Sequence, residues 1–242
     1  MLTFTQANSE DDGQSEAVIK SILEESAPAR PGDVVHTYFA RMGLDFALPQ
    51  SVRIHPGLNY LLGTRESLGR FPALVLPIQD SKGRYRAIEL LYLDESGTPA
   101  PVINPRQAYW LEDIEPGTFM TIQQPTQGAC GVAVGFGEAL AANHFTGAPM
   151  YAVGSPDDLE AFQIPEGISH LLVFARSDCQ AQALALHERA EALGIVADVI
   201  HPSDGYPSWM TEFALRGAVP IDEIAKRHSD EFTTPNEETD HE

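Results

Sequence analysis

The sequence predicts an α/β protein: a mostly parallel four-stranded sheet with flanking helices, preceded by a small α+β module. Three observations predict it. After residue 128, short apolar runs at 130–134, 150–153, 169–175 and 197–200 alternate with helical stretches, the pattern of parallel strands covered on both faces. Before that point, two apolar runs flank Asp80-Ser81-Lys82-Gly83, a turn suited to an antiparallel hairpin. Hydrophobic residues make up 43% of the 242, enough to fill a core.

The elements follow in order. Residues 1–14 are polar and read as a flexible N-terminus. Ala17, Val18, Ile19, Ile22 and Leu23 fit an amphipathic helix over 15–23, and Pro28 and Pro31 end it. A second helix over 34–42 stops at Gly43 in a plausible C-cap. Strands are expected at 52–55, 73–79 and 85–93, the last ending at Asp94-Glu95-Ser96-Gly97. Residues 100–126 are rich in Pro and Gln and hold a weak strand at 118–122. Beyond them, helices are expected at about 137–143, near Leu159, and at 180–193 before Gly194. The chain therefore divides into the N-terminal stretch, an α+β module at 15–125, a sheet domain at 126–220, and an acidic, largely disordered tail at 221–242. Open parallel sheets bind ligands beyond the carboxyl ends of their strands. Those ends are Val134-Gly135, Val153-Gly154, Ala175-Arg176 and Ile200-His201.

Charge and composition narrow the function classes. The formal net charge is −20, of which residues 221–242 carry −6 and residues 31–220 carry −10. Nucleic-acid binding needs Lys and Arg against phosphates, so this balance disfavours a nucleic-acid partner and favours a protein partner. No apolar run is long enough to span a membrane, and residues 1–16 lack the features of a signal peptide. Two cysteines, Cys130 and Cys179, are too few for a cysteine-rich zinc site. The simple reading is a cytoplasmic protein without a bound cofactor.

Several local features reduce to ordinary structure. Gly131, Gly135 and Gly137 lack both the GxGxxG spacing and a Walker lysine, so they read as a tight strand-to-helix turn. None of the eight histidines forms an HExxH pair. Cys179 sits near a predicted helix N-terminus, a setting that can lower a thiol pKa, but no base accompanies it. Ser155 and Ser177 lie at strand ends without a GxSxG context.

Two blocks of residues carry a family resemblance. The segment YFARMGLDFALPQSVRIHP at 38–56 and FPALVLPIQDSKGRYRAIELLYLDESG at 71–97 resemble the small module that precedes the Toprim domain in primase-like proteins of phages, plasmids and other mobile elements. The segments VGFGEALAA at 134–142 and LLVFARSDCQAQALALHERA at 171–190 then resemble the Toprim domain itself. The resemblance covers roughly residues 38–216 and implies a Toprim-like sheet. It also implies a Glu after the first strand, an Asp-x-Asp after the third, and an acidic cluster after the fourth. Carboxylates of that kind hold Mg²⁺, which stabilises charge on a phosphoryl group, and the Glu serves in proton transfer.

This sequence departs from that pattern at the positions that matter. The Glu position falls on Gly135, and Glu138 three residues later faces elsewhere on the helix. The Asp-x-Asp falls on Arg176-Ser177-Asp178, so a cation stands where the first Asp is expected. Ser208 and Thr211 occupy the later polar positions, while Trp209 matches. These departures point to a catalytically impaired accessory or regulatory factor in DNA replication or transfer. An active Mg²⁺-dependent primase or nuclease would have to rebuild a site from Glu138, Asp178 and Asp204, with Asp157 or Asp158 contributing and Asp178 as metal ligand. A single-strand-binding module would draw on Arg84, Tyr85, Arg86, Arg106, Tyr109 and Trp110.

Overall fold

The computed structural model describes residues 5–6, 12–62, 66–111, 114–125, 128–203 and 205–216. The expected acidic tail at 221–242 lies outside the described residues. Strand β1 (Thr5–Gln6) falls within the stretch read as flexible, and helix α1 (Asp12–Glu25) begins before the expected residue 15. Next come β2 (Ala27–Pro28), α2 (Val34–Arg41), β3 (Arg53–Leu62), β4 (Glu66–Gln79), β5 (Tyr85–Tyr92) and β6 (Arg106–Trp110). These strands form one sheet in the order β1-β6-β5-β4-β3-β2. Every pairing is antiparallel except β1 with β6.

Local chemistry explains these elements. Asp33 caps α2 by accepting from the His36 N–H at 2.8 Å, and the helix buries Val35 and Phe39. The hairpin turn is built on Asp80, which is only 5% exposed and accepts from the Lys82 and Arg84 N–H groups and from Arg84 Nε. Burial alone would raise the Asp80 pKa, but these hydrogen bonds and the Arg84 charge hold it below the usual value. Strands β3 and β4 run longer than the sequence suggests. Irregular register between His55 and Leu58, and between Asn59 and Leu61, absorbs Pro56 and Gly57 without ending the strand.

The second region contains β7 (Met120–Thr121), β8 (Ala129–Val134), α3 (Phe136–Thr146), β9 (Met150–Val153), α4 (Pro156–Glu160), β10 (His170–Phe174), α5 (Gln180–Ala192), β11 (Val196–Ile200) and α6 (Trp209–Arg216). Its sheet order is β11-β10-β8-β9-β7. The four expected strands are parallel, and β7 adds a fifth, antiparallel, at the edge. Alternation along each strand divides the core. Cys130, Val132, Leu171 and Val173 share a cluster with α4 and α5, while Ala133, Phe174, Met150 and Ala152 share one with α3, α6 and the first sheet.

That second face joins the two regions. Leu74, Leu76, Ala87 and Leu91 of the first sheet share one buried cluster with Ala139, Leu140, Trp209 and Phe213 of α3 and α6. Burial of each leucine or phenylalanine among them contributes about 1.5–3 kcal/mol, so the two sheets are held together by packing rather than by the connecting chain alone. The opposite face of the first sheet buries Ile88, Leu90 and Tyr92 beneath Ile19 and Ile22 of α1.

Candidate functional site

The carboxyl ends of β8 and β10 lie side by side, since these strands pair in parallel. Gly135 leaves β8 with φ +94 and ψ 136 and caps α3. A Cβ at Gly135 would meet nothing within 4 Å, so the space is open. Its backbone, however, has a conformation that residues with a Cβ rarely adopt. At the end of β10, Arg176 donates from Nε and Nη2 to the two carboxylate oxygens of Asp178 at 3.0 and 2.8 Å. Its Nη1 reaches the Val134 carbonyl at 3.3 Å, which fixes the guanidinium between the two strand ends. The hydrogen bonds and charge of Arg176 hold the Asp178 carboxyl below its usual range, and Asp178 in turn raises the Arg176 pKa.

Glu138 is buried and turns toward α6. Its Oε2 accepts from the Met210 N–H at 3.2 Å. Burial pushes the Glu138 carboxyl up, opposed by hydrogen bonding from the start of α6 and by the Arg176 charge. Ser208 accepts from the Thr211 N–H at 3.2 Å, and the two hydroxyls lie 3.0 Å apart. Glu138, Ser208 and Thr211 therefore organise the start of α6, a helix the sequence reading did not separate from its motif.

Those described residues that would rebuild a metal site do not form a group of three or more ligands. Asp158 is bonded to the Ser155 hydroxyl at 2.7 Å and to the Gly117 N–H at 3.4 Å. Asp204 lies outside the described residues. Among the described residues, no group of three or more His, Cys, Asp or Glu side chains is placed to hold a metal ion. Gly135 offers no ligand, Arg176 adds a positive charge, and both Asp178 oxygens face that charge. This donor set does not fit Mg²⁺, which prefers several oxygen ligands.

Two adjoining hollows, of about 220 and 330 Å³, run between the sheets beside this edge and share Glu89, Met120 and Gly154. Glu89 is a site residue the sequence reading missed. It interrupts the apolar series Ala87, Leu91 on the inner face of β5, and that lone charge among apolar neighbours was its only signal. Burial raises its pKa, Arg106 lowers it, and the Asp158 charge raises it further. Arg106 and Trp110 line these inner hollows, with Arg106 Nη2 on the Tyr38 hydroxyl at 3.3 Å. Arg84 and Arg86 line a separate groove against α1. The proposed basic strip is thus split between two surfaces. Cys179 is buried and its thiol is raised by that burial, while Cys130 is pushed up to about 12, so neither is an activated nucleophile.

A parallel α/β sheet with its site at the β8 and β10 ends, behind a sheet module packed on one face, has the architecture of a Toprim domain with a lead-in module. Residues 129–208 match the Toprim domain. Residues 13–111 match a domain of unknown function, DUF7146. No curated protein matches the chain. Among solved structures, a DNA primase domain from Pseudomonas aeruginosa is similar at 13% identity and a TM-score of 0.41, over 72% of this chain and 56% of that one. The chain thus spans just over half of that structure's length. The DnaG primase catalytic domain bound to single-stranded DNA is similar at 12% identity and a TM-score of 0.43, over 93% and 74%. The RNA polymerase domain of Mycobacterium tuberculosis primase DnaG, in complex with double-stranded DNA carrying an overhang, is similar at 13% identity and a TM-score of 0.40, over 92% and 75%.

These findings correct the expectation that net charge disfavours a nucleic-acid partner, because the matched structures include primase domains in complex with DNA. Association responds to the local field over a groove, which neither the total of −20 nor the −10 of residues 31–220 reports. Among the described residues, no helix is long and apolar enough to cross a membrane.

Proposed function

We propose that this chain is a primase-like Toprim protein of a mobile element that has lost metal-dependent phosphoryl transfer. It acts in the cytoplasm as an accessory factor in DNA replication or transfer, through contacts with nucleic acid and with other proteins of that process. One observation carries the loss of chemistry: the guanidinium of Arg176 is clamped on both oxygens of Asp178 and on the Val134 carbonyl. An internal cation in that place occupies the remaining carboxylate and repels a divalent ion. The left-handed backbone at Gly135 supports the same reading, because a glutamate there would be strained. The mobile-element setting rests on the resemblance of the segments at 38–56 and 71–97.

The test is primer synthesis and nuclease cleavage on single-stranded templates with Mg²⁺ and with Mn²⁺. The expected result is no turnover above that of Asp178→Ala. Divalent-dependent turnover that Asp178→Ala abolishes would overturn the proposal.

A further inference from the structure

On the side of the first sheet turned away from the Toprim edge, a groove of about 650 Å³ runs between α1 and the start of β5. Lys20, Arg53, Arg84 and Arg86 line it, against Glu16 and Glu24. Four of the chain's 15 basic residues are therefore gathered in one groove of a protein whose net charge is −20. We propose that this groove binds single-stranded nucleic acid, with phosphates against the cations and a base stacked on Tyr85.

The cations are held in place before any ligand arrives. Arg53 donates from Nε to the Ser26 hydroxyl at 2.7 Å and from Nη2 to the Leu23 and Ser26 carbonyls at 3.2 and 2.6 Å. These acceptors are neutral, so the guanidinium is fixed while its charge is kept. Arg84 is oriented by the buried Asp80, which takes Nε and Nη2. A guanidinium has five N–H donors, so the edge turned from Asp80 still offers hydrogen bonds to a phosphate, and the side chain is 62% exposed. Lys20 lies 3.9 Å from Glu24 in an exposed pair, which is weak enough to be exchanged for a phosphate.

The aromatic component selects the kind of nucleic acid. Tyr85 is 48% exposed and stands between Arg84 and Arg86. The register shift where Gln79 faces Tyr85 breaks the strict alternation of the hairpin, so all three consecutive side chains line the groove. A basic track with an exposed ring is the pairing that holds single strands, whose unstacked bases present a face to the ring. Bases in a duplex are already stacked on one another and present only edges. The proposal takes its class of occupant from the accessory reading above, and the groove's location from the residues named here.

Fluorescence anisotropy of the full chain with a labelled oligothymidylate about 12 nucleotides long tests it. Tyr85→Ala is expected to weaken binding at least fivefold, and Lys20→Gln with Arg84→Gln at least tenfold. The slope of log affinity against log salt should fall by about one for each cation removed. Arg41→Gln, an exposed cation on α2, should change neither, and circular dichroism should show all variants folded. Equal binding by wild type and groove variants would overturn the groove while leaving the nucleic-acid reading intact. No binding by the wild type at low salt would overturn both. Tighter binding to a duplex of the same sequence would overturn the single-strand assignment.

Discussion

The Toprim edge and the outer groove treat charge in opposite ways. At the Toprim edge, Arg176 is neutralised by Asp178 and faces Glu138, so the cation is used up within the protein. In the outer groove, Arg53 is pinned by neutral acceptors and keeps its charge for something else. Arg84 in the groove is also held by a carboxylate, but its side chain is 62% exposed and keeps an edge toward solvent, whereas Arg176 is 25% exposed and is bonded to the Val134 carbonyl as well as to Asp178. In the reading proposed above, recognition lies away from the edge where Toprim chemistry would otherwise be sought.

The largest effect should come from Glu138→Ala. It strips the acceptor from the start of α6, and the variant should lose about 2 kcal/mol by urea unfolding. If stability is unchanged, Glu138 is not a structural member of the edge and the contrast with the groove weakens. Gly135→Glu should cost about 1–2 kcal/mol because of the left-handed backbone, without gaining turnover, including in combination with Arg176→Asp. Turnover in the double variant would show that the edge keeps a usable geometry.

Glu89 sharpens the comparison through pH. Its folded-state pKa is raised, chiefly by burial, so folding favours the protonated form. Its contribution to stability is full below the pKa of the unfolded chain and is lost as pH rises through the folded value. Glu89→Gln should therefore raise the thermal midpoint by a few degrees at pH 8 and change it little at pH 4. An equal shift at both pH values would mean that the carboxyl does not titrate with folding. The smallest effect on stability belongs to Arg176→Ala, under about 1 kcal/mol, since Asp178 is 60% exposed and such a pair is screened. Its sharper readout is a gain in divalent-ion affinity as the edge loses its internal cation.

Most of the second sheet was legible in the sequence because β8 and β9 are buried on both faces and read as continuous apolar runs, while β10 is mainly apolar and β11 alternates between buried and exposed positions. Strand β9 spans the expected residues, and β8, β10 and β11 differ from expectation only at their ends. Strand β6 was not legible. Arg106–Trp110 has one fully buried residue, Ala108, and forms a strand because β5 offers it a partner. Helix α6 was hidden for a similar reason, since its start depends on Glu138, seventy-two residues away in sequence. At the site, the residue types at Gly135, Arg176 and Asp178 could be read directly. The clamp between the last two, the role of Glu89 and the assembly of the groove require contacts between distant segments. Residues 84–86 carried a recognisable basic and aromatic signal, but nothing in the sequence tied it to Lys20 and Arg53 rather than to Arg106 and Trp110.

The most direct test of the central claim is a Mg²⁺ and Mn²⁺ titration of the wild-type protein, following the backbone amide resonances of Gly135, Arg176 and Asp178. The account predicts no saturable, localised shift at these residues through the millimolar range. Saturable shifts centred on Gly135 and Asp178 would contradict it and return the Toprim edge to metal-dependent chemistry.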